Sequence, residues 1–245
     1  MKLVPLLLVA ALWQAASVSG LLPPAVLPSL SSVLAALVSL IRSGEIFPHT
    51  AVSFLRAGTG FLLAVVFGTA LGLAMARLPA IQRGVEPILL SIYPVPKPAL
   101  IPLFMVWLGI GDVSKITVIA LSCLVPVVIS SFNGARAVDD LLLWSARARG
   151  TPEHRLLWRV VLPATLPQIA TGVRTAIAIA LIVMVSSEFI SSEHGLGYLI
   201  FTYGGVGSDD AMLAVVLYLT AIGFLIDWVY VAGLRRLLAW HAFAH

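Results

Sequence analysis

Two stretches of twenty residues, 57–76 and 116–135, contain no charged side chain, and cations that can reach lipid headgroups border both: Arg56 and Arg77, Lys115 and Arg136. An α-helix rises about 1.5 Å per residue, so about twenty apolar residues cross the roughly 30 Å hydrocarbon core of a bilayer. Three further runs carry one charge each: 87–111 with Lys97, 160–187 with Arg174, and 211–234 with Asp227. Composition agrees. Charged residues make up 11% and mean hydropathy is +1.04, where soluble domains carry roughly 25% charged residues. A water-soluble enzyme, an isolated nucleic-acid-binding domain and a disordered chain all fail this test. The net charge of +4 then reads as cations fixing loops at a membrane, with no nucleic-acid partner. One cysteine, Cys123, permits no internal disulfide. The fold class is all-α, a polytopic membrane protein.

The N-terminal 39 uncharged residues, 3–41, are interrupted by Pro23, Pro24 and Pro28. Residues 1–20 read as a transmembrane helix or as a signal-like segment, with Lys2 before an apolar stretch and small residues around 15–20. The count is therefore six spans, or five if the segment is cleaved. Residues 29–42, opened by Ser29 and closed by Ser43-Gly44, are too short to span and read as an interfacial helix. With the N-terminus inside, ten Lys and Arg fall on the inner side and three (Arg42, Arg56, Lys115) on the outer. The positive-inside rule thus places both termini, residues 79–84 and residues 139–162 in the cytoplasm.

The link between the fourth and fifth spans has its own structure. Asp139 and Asp140 offer a cap and the charge that a helix N-terminus favours, for a helix through Arg149. Gly150 suits a left-handed helix end. A second helix restarts with Thr151 as cap, Pro152 at its first position and Glu153 in its first turn. Leu156, Leu157, Val160 and Val161 share one face, with Arg155 and Arg159 on another. From the residues alone, this basic amphipathic hairpin suits either the anionic inner leaflet or a docked protein.

Its spacing is more specific. Ser145-Ala146, three residues, Gly150, nine residues, then Val160-Val161-Leu162-Pro163 resembles the EAA signature of ABC-transporter permease subunits: Glu-Ala-Ala, three residues, Gly, nine residues, Ile-x-Leu-Pro. Leu27-Pro28-Ser29, Pro102-Leu103-Phe104 with Trp107 to Gly111, Ser114-Lys115-Ile116 and Gly195 to Ile200 are similar to further segments of the binding-protein-dependent permeases of the nitrate, sulfonate and taurine type. Together they cover about residues 27–235. The resemblance implies a type I importer permease, a multi-pass protein of the bacterial inner membrane. Residues 1–20 and 21–48 would precede a permease core at 49–237, which carries coupling helices at 139–162, and 238–245 would form a cytoplasmic tail. It also implies partners: a pair of ATP-binding subunits at the cytoplasmic face, a periplasmic substrate-binding protein, and a second permease copy, with lipid around them. Trp144, Ser145, Ala146, Arg147, Arg149, Gly150, Leu162 and Pro163 would form the ATPase-coupling surface. One departure stands out: Trp144 replaces the family's glutamate, so an ion pair made there elsewhere in the family is not available here.

Other residues admit two readings each. Lys97 lies between Pro96 and Pro98, where prolines break a span and such breaks line cavities; it either attracts an anionic solute or buries its stem and reaches water. Glu188 lies on the permeation pathway or at the outer interface, and Arg174 is a functional cation or snorkels to the inner one. Gly68 and Gly72 have the spacing for close helix packing within the subunit. Residues 204–208 read as a flexible outer loop, and His194 as a loop residue with no second metal ligand at suitable spacing. Gly109-Ile110-Gly111-Asp112 matches the motif of intramembrane aspartic proteases, with Asp227 as a second carboxylate, which defines an alternative function; a non-catalytic membrane scaffold is another. No Gly-Lys dipeptide occurs, so the chain has no phosphate-binding P-loop. No cofactor is expected in this chain, no catalytic residue is assigned, and ATP hydrolysis is expected on a separate polypeptide.

Overall fold

The computed structural model describes residues 4–19, 23 and 26–238. Lys2, Gly20, Pro24 and residues 239–245 of the expected tail lie outside them. Every regular element among the described residues is a helix, which satisfies backbone groups within each segment where no water is present. In order these are α1 (Val4–Val18), α2 (Leu30–Ser43), α3 (Ile46–Arg77), α4 (Pro79–Ile92), a 3₁₀ turn (Lys97–Leu100), α5 (Ile101–Leu108), α6 (Asp112–Arg136), α7 (Asp140–Ala148), α8 (Glu153–Leu156), a π turn (Leu157–Val161), α9 (Leu162–Ser191), α10 (Leu196–Gly205) and α11 (Asp209–Leu237).

Four helical runs are long and apolar enough to cross a membrane: α3, α6, the continuous stretch Glu153–Ser191, and α11. The pair α4 and Lys97–Leu108, bent by 97°, brings the number to five. The bend follows from Pro94, Pro96 and Pro98, which remove backbone donors and disfavour helix in the residues before them. As described, α1 has 15 residues, about 22 Å, short of the hydrocarbon thickness.

One expectation about the ends of the spans is corrected. Helix α3 starts at Ile46, ten residues before Arg56. Arg56 is therefore inside the helix and buried rather than reaching lipid headgroups, and Lys115, in the first turn of α6, is buried too. Residues 79–84 form the first turns of α4, with proline at the start of the helix.

The chain forms two compact units. The first comprises Met1–Leu55 with Val185–Phe224. Its apolar core joins Val33 and Leu40 of α2, Ile46 of α3, Leu196, Leu199 and Ile200 of α10, and Ala214 and Val215 of α11. Helix α2 forms where expected: Ser29 Oγ accepts the Ser32 N–H, and Gly44 closes the helix at φ +79°. Trp13 Nε1 donates to Pro28 O at 2.9 Å and Ser17 to Leu27 O at 2.9 Å, tying α1 to the entry of α2. Tyr203 donates to Glu45 at 2.7 Å; burial and that carboxylate push the phenol up to about 12. Gly204 and Gly205 belong to α10, so the expected flexible loop shrinks to residues 206–208.

The second unit comprises Arg56–Met184 with Leu225–His245. Here α3 packs on α6 at the small residues singled out in the sequence. A Cβ on Gly72 would come within 2.6 Å of Ser131 Cβ and of the Val128 carbonyl oxygen, and one on Gly68 would press on Val127. Leu73 and Ala135 pack with Leu143 of α7 and Val161 of the π turn, which seats the hairpin against the ends of α3 and α6.

Candidate functional site

The hairpin is built by local rules. Asp139 caps α7, its Oδ1 accepting the Leu141 N–H at 2.8 Å. At the other end the Gly150 N–H donates to Arg147 O (2.8 Å) and the Thr151 N–H to Ala146 O (3.0 Å). Gly150 adopts φ +79° to close this turn, and no atom within 4 Å opposes a Cβ there. The requirement is conformational, not spatial. The restart differs by one residue from expectation: Pro152, at φ −68° and ψ 150°, is the cap, and α8 begins at Glu153. Pro152 takes this place because its carbonyl accepts the first helical N–H groups, from Arg155 at 2.9 Å and Leu156 at 3.3 Å.

Across the bend, Arg147 Nε donates to Glu153 Oε1 at 2.6 Å and Nη2 to Oε2 at 3.3 Å. This bond to the carboxylate raises the Arg147 pKa above its ordinary value. Both side chains are exposed, so water screens the pair and it adds little stability. The π turn carries the chain into α9, where Pro163 has no N–H to give the preceding turn and the wider turn relieves its ring. Leu143, Leu156 and Val161 point inward, whereas Leu141, Leu142, Trp144 and Trp158 stand exposed, Trp144 at 63%. Ser145 and Ala146 are half-buried, Arg147, Arg149 and Gly150 are exposed, Leu162 is half-buried and Pro163 exposed. The eight expected coupling residues thus lie along one structured hairpin with an apolar outward patch.

The broken span lines a cavity of about 430 Å³, together with Ser122, Val125 and Pro126 of α6 and Thr175, Ile179, Ile182 and Val183 of α9. Lys97 and Pro98 face it. The Lys97 ammonium donates to the carbonyls of Ile92 (2.7 Å), Tyr93 (3.1 Å) and Val95 (2.7 Å). It therefore caps the end of α4, a role that neither sequence reading of Lys97 named. Pro96 caps the 3₁₀ turn.

Glu188 is 1% exposed and sits inside the first unit. Ser53 Oγ reaches both of its carboxylate oxygens (2.9 and 2.8 Å) and accepts the Leu196 N–H at 2.7 Å. The Gly197 N–H donates to Oε2 at 2.9 Å. Beside them, the Gly195 N–H donates to His49 Nδ1 at 3.0 Å. Gly195 sits at φ +125°, and a Cβ there would overlap the Glu188 carboxyl group. The carboxylate is a clamp that holds the start of α10 on α3. The sequence does not reveal the roles of Ser53, His49 and Gly197; a glycine pair around Leu196, seven and nine residues after a glutamate in an apolar helix, is the available signal. His194 packs near His49 at 5.8 Å between ring centroids, yet no cluster of metal-ligating side chains occurs among the described residues.

The two aspartates of the protease alternative are held apart in function. Asp112 accepts from Arg56 Nε at 2.7 Å, and Asp227 from Arg174 Nε at 2.7 Å and Nη2 at 2.8 Å. A proteolytic dyad needs two carboxylates sharing a proton; here each faces its own guanidinium. Arg174 is likewise an ion-pair partner rather than a lone snorkelling cation.

Residues 64–238 match the model of a protein family described as the binding-protein-dependent transport system inner membrane component. The chain is 32% identical over 234 residues to the taurine transport system permease protein of Escherichia coli K12, covering 94% of this chain and 85% of that protein. It is 34% identical over 230 residues to a putative aliphatic sulfonates transport permease protein of Bacillus subtilis 168, with 94% and 83% covered. Among solved structures, the MetNI methionine ABC transporter in inward-facing conformations aligns with TM-score 0.59 at 21% identity, over 76% of this chain and 91% of that one. This last likeness carries the fold.

Proposed function

We propose a function from one premise: the chain belongs to the family of binding-protein-dependent transport system inner membrane components. It is a multi-pass membrane protein and a permease subunit of an ABC transporter. In our reading it works as one of two copies in the bacterial inner membrane, with 49–237 as the permease core. A separate pair of ATP-binding subunits docks on residues 139–162 from the cytoplasm, and a periplasmic binding protein delivers the solute. Both termini lie inside, which the ten-to-three distribution of Lys and Arg supports.

The observation that carries the coupling role is the hairpin itself. Trp144, Leu141 and Leu142 are exposed on a helix whose other face is anchored by Leu143 on Leu73 and Ala135. Exposed large apolar side chains on a rigid element are the usual anchors of a protein contact. ATP binding and hydrolysis would move the docked subunits, the anchored α7 would pass that motion to α3, α6 and α9, and the pathway would open alternately to each side. Such a switch moves only because the ATP-bound partner favours one state. The solute is a small organic sulfonate or related anion, supported by the likeness to a taurine and an aliphatic sulfonates transport permease. Uptake of taurine and ethanesulfonate into vesicles holding the permease, its ATPase and its binding protein tests the reading. ATP-dependent accumulation that requires all three is expected; accumulation without ATP or without the ATPase would refute it.

A further inference from the structure

The exposed faces of the spanning helices are not alike. On α3 the exposed residues between 62 and 70 are Leu62, Leu63, Val66, Phe67 and Ala70, all apolar, as suits lipid. On α9 the exposed residues between 168 and 175 are Gln168, Thr171, Arg174 and Thr175, at the three- and four-residue spacing of one helical face. The Thr171 and Thr175 hydroxyls donate to carbonyls of their own helix, which leaves their oxygen lone pairs outward. Arg174 lies twelve residues into α9 and Asp227 ten residues before the end of α11. Both therefore lie inside spanning helices, about 18 and 15 Å from the ends. Their side chains are nevertheless 55% and 40% exposed. A charged pair that open within spanning helices is costly against hydrocarbon and is found facing a water-filled cavity or the interior of a bundle.

The geometry of the pair specifies what it can meet. Asp227 occupies the Nε–Nη2 edge of the guanidinium, using two of its five N–H groups and leaving the end-on edge to approach from outside. That planar fork matches the two oxygens of a carboxylate or sulfonate. The same face continues at Thr175, Ile179 and Ile182 into the cavity of about 430 Å³, a size that holds a small organic molecule. Asp227 also offsets the charge of the Arg174 guanidinium, so a passing anion is held weakly enough to leave, as conduction requires.

We propose that Arg174 is the contact for the oxyanion group of the transported solute, on a water-facing stripe of α9 formed by Gln168, Thr171, Arg174 and Thr175. This rests on the permease reading, but its test does not use transport. Thr171→Cys and Thr175→Cys are placed in a Cys123→Ala background and the full chain is reconstituted in phosphatidylcholine vesicles. Each is treated with two water-soluble thiol reagents of similar size and opposite charge, sulfonatoethyl and trimethylammonioethyl methanethiosulfonate. Both positions react, while Val66→Cys stays inert. The rate ratio favours the sulfonate reagent several-fold over the ratio for free cysteine. Arg174→Gln abolishes that preference, Arg174→Lys keeps part of it, and Asp227→Asn, which unmasks the guanidinium, increases it. Inert thiols at both positions would overturn the water-facing stripe, and a charge preference indifferent to Arg174→Gln and Asp227→Asn would overturn the oxyanion contact. Neither result depends on an ATPase or a binding protein, so failure of the permease reading registers separately, as absent ATP-dependent uptake.

Discussion

Removing the Glu188 carboxyl group should destabilise the protein far more than neutralising it. In Glu188→Ala the Ser53 hydroxyl and the Gly197 N–H lose their shared acceptor in a buried setting. Each unsatisfied buried donor costs about 1–3 kcal/mol, and deleting the side chain leaves a void, so a total of about 4 kcal/mol is expected. Glu188→Gln keeps a carbonyl oxygen for Gly197 and an amide that can donate to Ser53 Oγ. Its cost is about 1–2 kcal/mol, the charge-assisted part of the bonds. For a chain of this length, 1 kcal/mol moves Tm by about 2–4 °C. Thermal unfolding of detergent-purified protein should therefore show a drop of about 8–16 °C for alanine and about 2–8 °C for glutamine. Equal shifts for the two variants, or a shift below about 1 °C for alanine, would refute the clamp.

Gly150→Val should insert into the membrane normally yet lose ATPase binding, because φ +79° penalises a β-branched residue although space is free; co-purification with the ATPase reads this. Trp144→Ala should weaken that association by at least tenfold and Arg147→Ala by less than threefold: about 160 Å² of exposed indole at about 25 cal/mol per Å², with half of it covered, amounts to about 2 kcal/mol. The reverse order in a binding titration would count against the apolar patch. Asp112→Asn should retain uptake and Tm close to wild type, whereas Arg56→Ala should lower Tm clearly, since Arg56 is buried and Asp112 mostly exposed.

What was legible in the sequence was what local rules govern. The Asp139 cap, the Gly150 turn, the capped α2 and the proline break at residues 94–98 each depend on residues a few positions apart, and each formed where read. Long apolar runs gave the spans but not their ends. Charge-free length alone places Arg56 and Lys115 at headgroups, because it cannot show that α3 continues ten residues further, into packed protein. The site groups that the sequence hid depend on distant partners: Ser53 on Glu188 across 135 residues and Arg174 on Asp227 across 53. Lys97 was ambiguous for the opposite reason. Its partners are carbonyls of the adjacent turn, which no side-chain pattern reveals.

The central claim, that residues 139–162 take the thrust of a separate ATPase, is tested most directly by a photoactivatable benzophenone amino acid at position 144, with position 66 as lipid-facing control. In vesicles containing the assembled transporter, illumination should link position 144 to the ATP-binding subunit, with a yield that changes between the ATP-bound and nucleotide-free states, while position 66 links only to lipid. If position 144 also linked only to lipid in both states, the hairpin would be a membrane-surface element and the coupling role would fall.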